Sequence, residues 1–154
     1  MNLRTAVVPS PLGGLVLTAN TDAIVEIGWT DATPTEAFAS PLLAEAARQL
    51  AAYFADPTAP FSLPLNPAGD AFEKAVWREM CAIPVGLTAT YGDIGDATGR
   101  PARAVGGACG RNPIPIVIPC HRVVGADGRM VGYSGRGGVE TKRWLLQHEG
   151  ALLI

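Results

Sequence analysis

Three prolines fall inside one apolar run, "NPIPIVIPCHRVVG", at positions 113, 115 and 119. Proline offers no ladder hydrogen bond, so this run cannot be a central strand of a sheet. It reads instead as an extended, buried segment that delivers Cys120 to its end. The sheet that the chain needs must come from elsewhere, and the earlier sequence supplies it.

"LRTAVV", "LVLTA" and "AIVEIGW" are short and rich in β-branched residues, and "SPLGG" and "NTDA" separate them. This spacing predicts an antiparallel meander of three strands. "SPLLAEAARQLAAYF" follows, with Ser40 placed to cap a helix and Pro41 in its first turn. Leu43, Ala46, Ala47, Leu50 and Phe54 recur at helical spacing and are expected to cover one face of the sheet. "FSLPL" is expected as a last edge strand. Residues 1–66 thus form an α/β domain of antiparallel sheet plus helix, with no side chains suited to catalysis.

Residues 67–154 read as a second, mostly α-helical domain. Asp70 and Glu73 have the spacing of a capping box at the head of "DAFEKAVWREMCAI". Phe72, Ala75, Val76 and Met80 mark its inner side, and Cys81 is expected in the core. "TATYGDIGDATG" and "RPARAVGGACGRN" then predict two short helices around a tight turn at Gly99, a helix-turn-helix pattern. The second of these helices carries almost no bulk: Ala102, Ala104, Gly106, Gly107 and Ala108. Each glycine costs about 1 kcal/mol relative to alanine inside a helix. Either another helix packs closely there, or a ligand must come very near. "VETKRWLLQHEGALLI" predicts a closing helix with Val139, Trp144, Leu145 and Leu152 facing inward.

Cys120 lies between a proline and the pair His121 and Arg122. A thiol among apolar neighbours is ordinarily inert. Here the adjacent imidazole and guanidinium are expected to lower its pKa and so favour the nucleophilic thiolate. Adjacent side chains of an extended segment point to opposite faces, so His121 would act as base through a turn or a bound water. A base of this kind is oriented by a carboxylate. Glu149 is the candidate, because it stands at the C-terminal end of the last helix, where the dipole disfavours an anion. His148 lies about 100° away around that helix and is expected at the surface. The three cysteines are scattered and form no zinc framework.

Charge divides the chain unevenly. Residues 1–98 hold four Lys+Arg and eleven Asp+Glu, a balance of −7; residues 99–154 hold eight and three, a balance of +5. A basic part that contains Cys120 points to a polyanionic partner. Arg100, Arg103 and Arg111 flank or enter the smooth helix with no acid between them. No apolar run approaches a membrane span and no signal peptide opens the chain, so a cytoplasmic protein with reduced thiols is expected. A cysteine nucleophile beside a smooth basic helix suggests thiol chemistry on a nucleic acid.

"IPCHRVVG", with "ARAVGGACGRNP" before it and "GYSGRGGVETKRWLLQHEG" after it, resembles the O6-alkylguanine-DNA alkyltransferases, the methylated-DNA–protein-cysteine methyltransferases. "SPLGGLVLTA", "FSLPL" and "IPVGLTATYGDI" extend the resemblance along nearly the whole chain. It implies direct repair of double-stranded DNA: a single, irreversible transfer of an alkyl group from O6-alkylguanine, or from O4-alkylthymine, to Cys120 after base flipping. It also implies a monomer without metal or cofactor. Cys120 would be the acceptor. His121 would take the thiol proton through a water, Glu149 would orient His121, and Asn112 would hold the turn. Tyr91 and Arg103 would displace the target nucleotide. Ala102, Ala104 and Gly106 would let the second helix enter the minor groove, with Arg111 and Arg122 on the DNA face. Tyr133, Ser134, Val123 and Pro115 would line the base pocket. The loop around Arg136 is longer than the family's commonest form. A non-catalytic module that only binds alkyl damage is the alternative reading, and a cysteine hydrolase is a second.

Overall fold

Period-two burial sets the first element group. The computed structural model describes residues 2–133 and 135–152. Strands β1 (Arg4–Val8), β2 (Gly14–Ala19) and β3 (Ile24–Thr30) pair antiparallel in the order β1-β2-β3. Ala6 and Val8 on β1, Leu15, Leu17 and Ala19 on β2, and Ile24 and Ile27 on β3 are buried. The register places Ala6 opposite Leu17 and Val8 opposite Leu15, so buried residues share a face. A bulge at Thr18/Ala19 shifts the second pairing by one residue.

Helix α1 (Pro41–Ala55) packs on β1 and β2. The Ser40 side chain accepts from the Leu43 amide, which satisfies one of the free N–H groups at the helix start. Its buried face is Leu43, Ala46, Gln49, Leu50 and Tyr53, whereas Ala47 and Phe54 are only half-buried. Gln49 is buried because Ser62 satisfies it on both sides: Nε2 donates to Oγ at 3.0 Å, and the Ser62 amide donates to Oε1 at 2.8 Å. "FSLPL" forms no full strand. Leu65 makes one parallel bridge to Ile24, and the flanking hydrogen bonds run from Ile24 to Pro64 and from Asn66 to Ile24. Pro64 itself can donate nothing.

The chain divides into two compact units, residues 1–68 and 69–154. In the second, α2 (Ala71–Cys81) opens with both halves of the capping box: the Glu73 amide donates to Asp70, and the Asp70 amide donates to Glu73. Val76, Trp77 and Met80 are buried, and Trp77 donates from Nε1 to the Ala108 carbonyl at 3.0 Å. Cys81, expected inside, is exposed at the helix end.

The short strand β4 (Ala89–Thr90) leads into α3 (Tyr91–Thr98), capped reciprocally by Thr90 and Asp93. Gly99 terminates α3 at φ 74°, a conformation glycine adopts freely. A methyl group at Gly95 would meet the Arg100 carbonyl oxygen at 2.5 Å, so the tight passage into α4 (Ala102–Gly110) requires that glycine too.

The proline-punctuated run is buried but not extended. The Ile118 amide donates back to Ile114, and Pro115 bridges to Ile118. Ile116 sits at φ 75°. A β-branched residue there is strained by about 1–3 kcal/mol. Burial of Ile114, Ile116, Val117 and Ile118 offsets that cost. One turn of 3₁₀ helix (Cys120–Arg122) follows, then β5 (Val123–Val124), which pairs parallel with β4. Helix α5 (Val139–His148) ends sooner than expected, at a left-handed Gly150. Its buried residues are Thr141, Lys142, Leu145 and Leu146, while Val139, Trp144 and Leu152 are only partly covered. Trp144 stacks on the half-buried His148.

Candidate active site

The 3₁₀ turn decides where the three side chains after Pro119 point. Cys120 is 5% exposed and His121 is fully buried. His121 Nε2 donates to Oε2 of Glu149 at 2.8 Å. A carboxylate only accepts, so the ring proton sits on Nε2 and Nδ1 carries the lone pair. Among the described residues, Nδ1 has no hydrogen-bond partner although it is buried. This is the atom available to take a proton, directly or through one water.

Glu149 caps α5 and its side chain is fully buried. Arg122 forks onto it, Nε to Oε1 at 2.8 Å and Nη2 to Oε2 at 3.0 Å, while Nη1 donates to the Ile83 carbonyl at 2.7 Å. Each nitrogen of Arg122 is therefore taken by a protein oxygen. Its expected place on a DNA face is not what the geometry offers.

Asn112 brackets the turn from within. Nδ2 donates to the Ile118 carbonyl at 2.9 Å and Oδ1 accepts from the Ile114 amide at 2.9 Å. Its side chain also favours the Cys120 thiolate. Burial pushes the Cys120 thiol up, against the pull of Asn112 and of the Lys142 charge. The lowering expected from the basic neighbours is overridden, because loss of solvent penalises the thiolate more than nearby cations reward it. His121 moves the other way: burial holds the imidazole down, ahead of the opposing pull of Glu149. Burial thus works toward the uncharged form of both groups.

Cys120 opens into a cavity of about 150 Å³ lined by Tyr91, Gly106, Cys109, Gly110, Cys120, Gly132 and Tyr133. That is small beside the ~300–1,000 Å³ of drug-sized sites. Tyr91 enters from the first residue of α3, and its hydroxyl donates to the Val131 carbonyl at 3.3 Å. Burial raises its phenol to about 12, and that of the Cys109 thiol to about 12 as well. Tyr133 stands on the rim, its phenol also pushed up by burial. Ser134 lies outside the described residues.

Pro115 and Val123 do not line the cavity. Pro115 is sealed inside the turn after Asn112, and the Val123 carbonyl accepts from Lys142 Nζ at 2.6 Å. Lys142 is a residue that the sequence reading missed. It is 1% exposed, and Nζ also reaches the carbonyls of Val131 and Gly132 at 3.0 and 3.3 Å and lies 5.7 Å from the Tyr91 ring. It ties the cysteine turn to the loop that bears Tyr133. The signal was present: 142, 145, 146 and 149 share one helix face, so Glu149 implicates Lys142.

On α4, Val105, Ala108 and Cys109 are buried, and Ala102 and Arg103 are exposed. Ala104 is half-buried. A methyl at Gly106 or Gly110 would meet nothing within 4 Å. Packing within the protein therefore does not require either glycine. Arg100 lies over the Phe72 ring at 4.5 Å, and Arg111 pairs with Glu73. Arg103 makes no ion pair or hydrogen bond among the described residues. No group of three or more His, Cys, Asp or Glu among them is placed to hold a metal ion, and no helix is long and apolar enough to cross a membrane.

A cavity-lining thiol, that of Cys120, followed directly by a histidine that a buried carboxylate holds, defines an enzyme of covalent cysteine chemistry. The chain matches the family profiles for the 6-O-methylguanine DNA methyltransferase ribonuclease-like domain over residues 3–67 and DNA binding domain over residues 71–151. It is 41% identical over 147 residues to the methylated-DNA–protein-cysteine methyltransferase of Mycobacterium leprae, covering 91% of this chain and 88% of that one. It is 50% identical over 107 residues to the protein of the same name from Methanosarcina barkeri, covering 68% and 66%. It superposes on Mycobacterium tuberculosis OGT in complex with DNA with a TM-score of 0.82 at 40% identity, covering 98% of this chain and 94% of that one. The chain belongs to the methylated-DNA–protein-cysteine methyltransferase family.

Proposed function

We infer that this chain repairs alkylated double-stranded DNA by moving the alkyl group of O6-alkylguanine, with O4-alkylthymine as a second lesion, onto Cys120. The observation that carries this reading is the placement of Cys120 on a cavity of about 150 Å³ that Gly106 and Gly110 of α4 also line. The O6 substituent cannot be reached inside a base stack, so the nucleotide must be flipped into that cavity.

His121 Nδ1 takes the thiol proton. The sulfur then attacks the alkyl carbon, an S–C bond forms and the C–O6 bond breaks. The bonding electrons stay with the base, which takes up one proton. Glu149 steadies the imidazolium while it exists. Asn112 holds the turn, and Tyr133 borders the base.

Residues 67–154 act as the DNA-binding and acceptor domain, with α3 and α4 as its helix-turn-helix. Ala102, Ala104 and Gly106 give α4 a surface smooth enough for the minor groove. Arg103 and Tyr91 support the displaced nucleotide, and Arg111 contributes to the basic surface. That the Mycobacterium tuberculosis relative is seen in complex with DNA supports DNA as the partner. We place the protein in the cytoplasm as a monomer. The test is digestion of an O6-methylguanine duplex after incubation: the lesion is converted to guanine. Persistence of O6-methylguanine beside bound protein would favour a damage-binding module.

Arg103→Ala is expected to slow duplex repair by on the order of a hundredfold, from a few kcal/mol of lost flipping support. Reaction with free O6-benzylguanine needs no flipping and should stay near wild type. Equal losses on both substrates would make Arg103 a folding residue. Duplex affinity should fall with rising salt through counterion release.

A further inference from the structure

The sharing of Glu149 Oε2 between His121 and Arg122 raises a question that the His–Glu pair alone does not answer. A buried carboxylate 2.8 Å from an imidazole ordinarily favours the imidazolium. An imidazolium at rest has no lone pair with which to take the Cys120 proton. The charged groups around the ring come from two elements. Lys142 and Glu149 belong to α5, and Arg122 and Cys120 to the 3₁₀ turn. From the end of α2, Cys81 feels the charge of Arg122.

Of these, Arg122 grips the carboxylate that His121 uses. Its fork takes both oxygens, and Oε2 is shared between Arg122 Nη2 and His121 Nε2. The third nitrogen is fastened to the Ile83 carbonyl, just beyond α2, so the fork is held from a second element. We propose that Arg122 is a positioning residue of the acceptor site: by neutralising and aiming Glu149, it leaves His121 uncharged at rest with Nδ1 open to the Cys120 proton. The inference rests on the repair reading for its purpose. Its geometry and its test do not need DNA.

Arg122 also acts directly, since its charge disfavours a second cation at His121, as does that of Lys142. A carboxylate balanced by a guanidinium still orients Nε2 and still stabilises an imidazolium formed briefly during proton transfer. It no longer forces that imidazolium to persist. The bidentate fork suits a fixed carboxylate in a way a lysine ammonium does not.

The experiment is NMR titration of isotope-labelled histidine in the full chain, with His148→Gln used to assign the two rings. Wild-type His121 is expected to remain neutral from about pH 8 to below its ordinary value near ~6.5. Arg122→Gln should raise its midpoint by about one pH unit or more. Arg122→Lys returns charge without the fork. It should restore the titration toward wild type and leave transfer to Cys120, read with O6-benzylguanine, still reduced. An imidazolium in the wild type at neutral pH overturns the proposal, and this result needs no variant to fold. An unchanged midpoint in a folded Arg122→Gln overturns it equally. Failure to repair methylated duplex would count against the repair reading and leave the titration result standing.

Discussion

Cys120→Ala is expected to abolish alkyl transfer completely while duplex affinity stays within a few-fold of wild type. No other thiol can substitute. Cys109 shares the cavity, but it belongs to α4 and not to the turn that carries His121. Cys81 is not among the residues that line the cavity. The substitution removes one sulfur from a site that is 5% exposed, a change of about 1 kcal/mol, so the fold is retained. The proposed DNA contacts lie on α3 and α4, whose side chains the substitution leaves in place. The check pairs a transfer assay with a binding isotherm on the same preparation. Transfer that persists in the variant, with the alkyl group on Cys109 or Cys81, would contradict the assignment.

The second large effect is expected at Glu149. Its carboxylate receives His121 Nε2 and two nitrogens of Arg122 and is fully buried. Glu149→Ala leaves the guanidinium of Arg122 largely covered and without its partner. Breaking one side of a buried ion pair costs about 3–5 kcal/mol. The variant should unfold at much lower denaturant. Glu149→Gln keeps the shape and one acceptor oxygen but turns an amide toward a donor, so a smaller destabilisation is expected. In that variant His121 becomes a poorer base, because nothing anionic stabilises the imidazolium. The transfer rate should fall by on the order of a hundredfold, within the range for general-base removal.

The pH profile of Glu149→Gln should move upward. Proton removal then depends on ionisation of a thiol whose pKa burial has already raised. A profile that does not move would give Glu149 a purely structural role.

Local signals in the sequence are the ones the structure reproduces. Ser40 at its cap and the reciprocal Asp70–Glu73 box each depend on residues within one turn, where sequence spacing is nearly the same thing as distance. The three strands are legible because their burial alternates with period two. What depends on distant partners is not. The run before Cys120 contains no glycine to announce a left-handed residue, and Ile116 adopts that conformation because the surrounding turn is buried on all sides. Lys142 would ordinarily be assigned to solvent. It is buried because three carbonyls, up to 19 residues away, replace its water.

The site was legible in part for the same reason. Cys120, His121 and Arg122 are contiguous, but chain order does not say which neighbour addresses which. The direction of the thiol shift was misread because a cationic neighbourhood is visible in sequence and desolvation is not. The question of the smooth helix was answerable only in three dimensions. Open space at Gly106 and Gly110 removes intramolecular packing as their reason and leaves the approach of a ligand.

The product of the proposed reaction is a thioether on Cys120. A thioester can be finished by water through its carbonyl, but a thioether has no carbonyl and no acidic leaving group. The protein should act once and stop. The direct measurement mixes it with excess O6-methylguanine duplex, follows repaired lesions against time, and ends with intact mass and peptide mapping. The expected result is a burst that halts at one lesion per molecule, with a single methyl group on Cys120. Repair that continues past one equivalent, with unmodified Cys120 recovered at the end, would contradict the account.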